Sequence, residues 1–517
     1  MADGHIRDLV GQMFMVDFSG CEPSAEVERL IADEGVGGVI LFAKNIATPR
    51  QIASLTNALQ RIAAAAHRPP LLVSADQEGG SVARLPAGAT QFPSAMAFGA
   101  AGSEALVGAA AGVTARELRA VGIQMNMAPV LDVNSNPANP VIGLRSYGED
   151  PRLVARLGTA AIRAMQASGV LATAKHFPGH GDTHQDSHLC LPTVSRDRRR
   201  LESVELAPFR AAVRAGVAAV MTAHVVYPAL DPDAPATLSP AILQRVLRDE
   251  LGFAGLIVTD SMAMRAIADT LRAGEAAVRA VLAGADIVLA LGTADAQREA
   301  LEAVRRGVEE GRIPADRIAA AVGRIRAAKH RLGLAQRATV AEEEVDSRVG
   351  IRAHLAVAEH VAGAAATLLR NPGHTVPFPP GSVAVVAAEG SLETARRLAR
   401  ALHAAGRHAA VVPADRLAAA GEGGVAFAVV LDGDRPDATP ERRGRVEHLI
   451  RAALSRGPTA IVAAGSPYGL AGLPEEAACV AVYGADAPSL GAAARVLAGS
   501  LRPRGRLPVS LTGRQDR

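Results

Sequence analysis

The chain has 517 residues, of which 49% are hydrophobic and 21% charged, with a formal net charge of +3. It is too long for one ordinary core, so two domains are expected. The near-neutral balance, with nothing longer than the short basic run Arg196 to Arg200, leaves no nucleic-acid footprint; that run reads as a solvated loop or helix start.

Short apolar, β-rich runs recur along the first two thirds, at 13–17, 37–42, 71–76, 123–128, 171–175, 218–222, 256–260 and 287–290. Between them lie Ala/Leu/Arg-rich stretches with apolar spacing near 3.6, such as 104–120, 152–167 and 240–251. Eight β/α units point to an N-terminal (β/α)8 TIM barrel over 1–335, whose chemistry belongs at the C-terminal ends of its strands. Polar groups gather there: Asp76 after strand three, Asp132 after four, Lys175 and His176 after five, His224 after six and Asp260 after seven. Residues 336–380 read as a linker, with the acidic run Glu342 to Glu344 and four prolines between Pro372 and Pro380. Five further strands, at 383–387, 409–412, 426–431, 460–464 and 480–483, alternate with helical stretches and predict a smaller open α/β sandwich domain over 381–517. The fold class is therefore α/β throughout. No Gly-x-Gly-x-x-Gly or Walker-type loop can be placed, so no nucleotide cofactor is expected.

Cys21, Cys190 and Cys479 are far apart and odd in number, which fits a reducing compartment and not a disulfide framework. The polar N-terminus leads into a short apolar stretch broken by Gln12 and Asp17. Neither signal peptide nor membrane span is expected, and the reading is a cytoplasmic protein, monomer or homodimer, with no membrane or nucleic-acid partner. Tryptophan is absent and aromatics make up 3%. A long cleft floored by aromatic faces is not expected, whereas a small hydrogen-bonding pocket is.

The densest chemistry lies between Lys175 and His188, where one Lys, four His and two Asp occupy a run interrupted by Pro178, Gly179 and Gly181. His176, His180, His184 and His188 recur every four residues. On a helix they would form a metal-binding face, but Pro and Gly argue against a helix and the paired-histidine patterns of common metallohydrolases are missing, so no metal is expected. Asp260, after the apolar run Leu256 to Val258, is placed either to attack an electrophilic carbon or to cap the next helix. Asp186 and His188, two apart in an extended loop, can share a side; a carboxylate orienting an imidazole makes a proton donor and acceptor, the alternative being an exposed polar loop.

Five motifs, in order, resemble glycoside hydrolase family 3 and within it the β-N-acetylglucosaminidase (β-N-acetylhexosaminidase) branch. They are Ala75 to Gly80 with Arg84, Arg145 to Pro151, Lys175 to Thr183, Asp186-Ser187-His188, and Val258 to Met262. Weaker matches, Leu368 to Asn371 and Gly505 to Val509, extend the resemblance into the second domain. The resemblance implies a retaining enzyme with Asp260 as nucleophile, His188 as general acid/base and Asp186 as its partner. It implies that Asp76, Arg84, Arg145, Lys175 and His176 grip one terminal sugar, which charge-assisted bonds suit. The implied substrate is a small glycoside ending in N-acetylglucosamine, with cell-wall muropeptide fragments as the natural pool. A phosphorylase, with phosphate replacing water, and a β-glucosidase are the neighbouring readings. In many two-domain relatives a Glu of the second domain is the acid; here the Asp-Ser-His loop lies within the barrel sequence, so the second domain need not supply chemistry.

Overall fold

The computed structural model describes residues 3–419, 424–433 and 439–511. Eight short strands, β1 Phe14–Val16, β2 Gly38–Leu41, β3 Leu72–Ala75, β4 Met125–Asn126, β5 Leu171–Phe177, β6 Ala219–Thr222, β7 Leu256–Val258 and β8 Val288–Ala290, run parallel in the order β8-β1-β2-β3-β4-β5-β6-β7. A bridge between Val258 and Ile287, with Thr259 N–H donating to the Ile287 carbonyl at 3.0 Å, brings β7 back to β8 and completes the barrel. Every strand residue is buried. Side chains fill the interior and helices cover the outside, so the strands read as continuous apolar runs and not as alternating ones.

The outer helices start where their caps dictate. Ser103 accepts from Leu106 N–H at 3.3 Å to open Glu104–Ala120. Asp150 accepts from Arg152 N–H at 2.9 Å, with Pro151 at the first helical position, to open Pro151–Ala167. The stretch expected as a helix over 240–251 is a helix of the wider π type, Ala241–Glu250, ending with Leu251 N–H on the Val246 carbonyl.

β5 departs from expectation in a way that matters for the site. It continues to Phe177, and its register with β6 shifts so that Ala174 faces Val220 while Phe177 faces Thr222. Lys175 and His176 together oppose the single Met221, a bulge that lets the two adjacent residues both turn toward the barrel mouth.

Six strands, not five, form the second sheet: β9 Thr367–Arg370, β10 Ser382–Ala387, β11 Ala409–Val412, β12 Val425–Leu431, β13 Thr459–Ala463 and β14 Ala478–Ala481. Their order is β9-β14-β13-β12-β10-β11, all parallel except β9. β9 and the helix Arg352–Ala365 before it lie inside the stretch expected as a linker, 336–380. That stretch is ordered because its polar groups are tied to the barrel: Asn57 exchanges bonds with both Val340 N–H (2.8 Å) and its carbonyl (2.9 Å), and Gly350 N–H donates to Glu117 at 2.9 Å.

The two faces of the second sheet have separate cores. One packs under Arg352–Ala365, Leu392–Ala404 and Ala487–Ala498; the other packs Val386, Phe427, Val429 and Ile461 against Met96, Ala97 and Ala100 of the barrel. Polar ties cross the same boundary: Ser94 Oγ donates to the Tyr483 carbonyl (2.7 Å), Asn134 Nδ2 to Tyr468 Oη (2.9 Å), and Ser510 N–H and Oγ to Glu149 (2.9 and 2.7 Å). Among the described residues no helix is long and apolar enough to cross a membrane.

Candidate active site

The mouth of the barrel holds one connected set of charges. Lys175, 2% exposed, donates to Asp76 Oδ1 at 2.7 Å and pairs with Glu78 Oε1 at 2.6 Å. Arg145 grips Glu78 with both arms, Nε to Oε2 at 2.9 Å and Nη2 to Oε1 at 2.8 Å. Burial opposes charge on Glu78, but Arg145 and Lys175 outweigh it and hold its carboxyl far below the usual range. Burial likewise works against the Lys175 ammonium, yet Asp76 and Glu78 raise its affinity for the proton.

The next shell is built on Asp132, which is fully buried. Its Oδ1 accepts from the backbone N–H of His176 (3.1 Å) and of His180 (2.6 Å), and its Oδ2 pairs with His176 Nδ1 at 2.7 Å. Desolvation alone would protonate it; the imidazoles and N–H groups reverse that and lower its proton affinity. With Nδ1 occupied, His176 Nε2 lies 3.4 Å from Arg145 Nη2. Asp132 thereby fixes the ring that β5 delivers to the mouth.

Asp260 follows the end of β7 and is half-buried, with Oδ1 accepting from Ser261 N–H at 2.7 Å. Burial pushes its carboxyl up, while His176, His224, the Ser261 N–H and Lys175 push it down and prevail, so the group stays ionised. It caps no helix: the next one begins at Arg265 after Met264. His224 is fixed beside it, Nδ1 to Thr237 Oγ1 at 2.8 Å and Nε2 to the Ser261 carbonyl at 2.9 Å, and desolvation lowers its proton affinity.

Asp186 and His188 form a pair at the rim. Asp186 Oδ1 accepts from both Nδ1 (2.7 Å) and the backbone N–H (2.8 Å) of His188, whose side chain is 59% exposed. The loop is a turn and not the extended segment expected, because the Asp186 carboxylate and carbonyl gather the N–H groups of His188, Leu189 and Cys190. His188 is close enough for its charge to be felt at His224, the neighbour of Asp260.

Asp76, Arg145, Lys175, His176 and Asp260 are thus brought together, with Asp186 and His188 at the edge of the same mouth. Arg84 stands apart from the network. Its guanidinium carbon lies 5.8 Å from the Phe42 ring centre, and its Nε is buried without a hydrogen-bond partner. The four-residue histidine series disperses: His176 goes to Asp132, His180 to Thr183 and Ser187, His184 to Asn136, and His188 to Asp186. Among the described residues no group of three or more His, Cys, Asp or Glu is arranged to hold a metal ion. Three groups escaped the sequence reading as site residues. Glu78 lay within a quoted motif, while Asp132 and His224 were marked only by their place after strands.

Residues 5–328 match the family profile described as "Glycosyl hydrolase family 3 N terminal domain". With that match, the barrel and its charged mouth are those of a glycoside hydrolase. The chain belongs to glycosyl hydrolase family 3. It is 36% identical over 404 residues to Beta-hexosaminidase A of Pseudoalteromonas piscicida, a match covering 71% of this chain and 67% of that one. The structure of a family 3 beta-N-acetylglucosaminidase from Paenibacillus sp. str. FPU-7 superposes with a TM-score of 0.90 at 40% identity, over 98% of this chain and 99% of the other. NagZ from Neisseria gonorrhoeae, solved in complex with N-trifluoroacetyl-D-glucosamine, is similar at 32% identity and a TM-score of 0.57, over 68% of this chain and 98% of that one.

Proposed function

We propose that the protein is a retaining exo-β-N-acetylglucosaminidase that removes a terminal N-acetylglucosamine from small glycosides, cell-wall muropeptide fragments among them. The observation that carries this reading is an ionised carboxylate, Asp260, at the mouth of the barrel beside cationic and imidazole groups, with a carboxylate-oriented imidazole, His188, at the rim. Asp260 attacks the anomeric carbon as the bond to the leaving oxygen breaks, and His188 gives that oxygen its proton. Water then attacks the same carbon, His188 takes a proton from it, and the bond to Asp260 breaks to release the sugar with its configuration retained. Asp186 holds the imidazole by Nδ1 and leaves Nε2 to exchange the proton.

Asp76, Lys175, Arg145 and His176 grip the sugar hydroxyls, and Glu78 keeps both cations in place. Arg84 is assigned to the same grip by the family resemblance alone. The names of the relatives support N-acetylglucosamine as the glycone. The test is trapping with a 2-deoxy-2-fluoro or 5-fluoro glycoside followed by peptide mapping: label on the peptide bearing Asp260 is expected, and label elsewhere would overturn the assignment. Product analysis in phosphate buffer separates hydrolysis from phosphorolysis, since only the latter yields a sugar 1-phosphate. Comparing glucoside with N-acetylglucosaminide separates a β-glucosidase.

A further inference from the structure

His180 takes no part in the steps above, yet it is 2% exposed and both of its ring nitrogens have hydrogen-bond partners. Its Nδ1 lies 3.0 Å from Thr183 Oγ1 and its Nε2 lies 2.8 Å from Ser187 Oγ. Thr183 Oγ1 donates to the His180 carbonyl at 3.2 Å and accepts from Asn139 Nδ2 at 3.1 Å. The ring therefore bridges two hydroxyls, and Nε2 is tied to Ser187 whichever of its nitrogens carries the proton.

Desolvation lowers the ring's affinity for a second proton, to a pKa of about 4, so the ring is neutral at neutral pH. The backbone beneath is fixed as well. His180 N–H donates to Asp132, which also holds His176, and a Cβ on Gly181 would stand 1.7 Å from the Val133 carbonyl oxygen, leaving that residue no room for a side chain. Ser187 is the residue between Asp186 and His188.

We propose that His180 is a positioning residue: through Nε2 it holds Ser187, and through Ser187 the turn that aims His188 at the leaving oxygen. This rests on the assignment of His188 as acid/base. One buried carboxylate, Asp132, then sets both the ring that meets the sugar and, by way of His180, the ring that protonates the leaving group. His180 touches neither substrate nor the reacting atoms.

The test reads kcat/KM, which reports the first chemical step, on two N-acetyl-β-glucosaminides. One has a sugar aglycone that needs its proton; the other has a 2,4-dinitrophenyl aglycone that leaves without one. His180→Leu is expected to lose about 30-fold on the first and no more than about threefold on the second. His180→Gln, which keeps an acceptor near the Nε2 place, should recover most of the loss. Ser187→Ala should show the same signature, and combining it with His180→Leu should add little. If His180→Leu does not fold, Ser187→Ala carries the test.

Equal loss on both substrates, or none, while His188→Ala keeps the strong dependence on leaving group, would overturn the proposal and spare the acid/base assignment. Absence of that dependence in His188→Ala would overturn both.

Discussion

The barrel and the second domain are both built from parallel strands with crossover helices, yet only the barrel gathers the charges at its strand ends into one network. In the barrel, Asp76, Lys175, His176, His224 and Asp260 stand at or just beyond the C-terminal ends of β3, β5, β6 and β7. In the second sheet the five parallel strands end in Ala387, Val412, Leu431, Ala463 and Ala481, and the antiparallel β9 ends in Arg370, whose guanidinium donates to the carbonyls of Leu473, Pro474 and Ala477. The polar groups that follow serve internal bonds: Asp432 donates its backbone N–H to Ser391 Oγ at 2.9 Å and accepts from Thr394 Oγ1, and Tyr483 Oη meets Thr367 Oγ1 at 2.8 Å. A closed ring points all its strand ends at one spot, so groups from distant parts of the chain converge. An open sheet spreads them along an edge.

The comparison breaks most sharply at the carboxylates. Asp260→Ala is expected to lower kcat by about four orders of magnitude, the scale seen when a nucleophile is removed, while Asp432→Asn in the second sheet should change it less than about twofold. Hydrolysis of a chromogenic N-acetyl-β-glucosaminide checks both. Lys175→Met should cost about 3 kcal/mol of unfolding free energy in urea, because Asp76 and Glu78 lose a buried cation, and sugar binding should weaken with it.

A fourth variant probes a buried carboxylate outside the charged network. Glu205 is 1% exposed, its carboxyl oxygens lack hydrogen-bond partners, and Arg200 Nη2 is 3.7 Å away. Burial pushes its pKa up to about 7. The folded chain therefore holds that proton more tightly than the unfolded one, and the stability so gained is present below about pH 4.5 and lost as pH rises through 7. Glu205→Gln should stabilise by about 2 kcal/mol at pH 8 and by nothing measurable at pH 4.5. Thermal unfolding at the two pH values decides. Smallest is the boundary tie: a double-mutant cycle of Asn134→Ala and Tyr468→Phe should give a coupling of about 1 kcal/mol with kcat within about twofold of wild type.

Much of this was legible because periodicity and strand-end position carry it. All eight barrel strands were placed, and Glu104–Ala120 was bounded as observed. The bulge at Lys175 and His176 was not legible, since it depends on register against β6 and leaves no local mark. β9 escaped because four residues after a helix, Thr367 to Arg370, form a strand only by pairing antiparallel with β14, more than a hundred residues away. Asp260, His188 and Lys175 could be singled out from motifs. The anchoring of His176 by Asp132 needed coordinates, because the two are 44 positions apart.

Glu117 shows where the catalytic unit ends for anyone wishing to cut it free. This carboxylate, 1% exposed, accepts from Thr90 N–H and Oγ1 within the barrel, and from Gly350 N–H and His354 Nδ1 beyond it. A truncation at residue 335 would strip away half its donors and strand a negative charge in the protein interior. One placed after Ala365 would retain them all, and is the fragment to clone first.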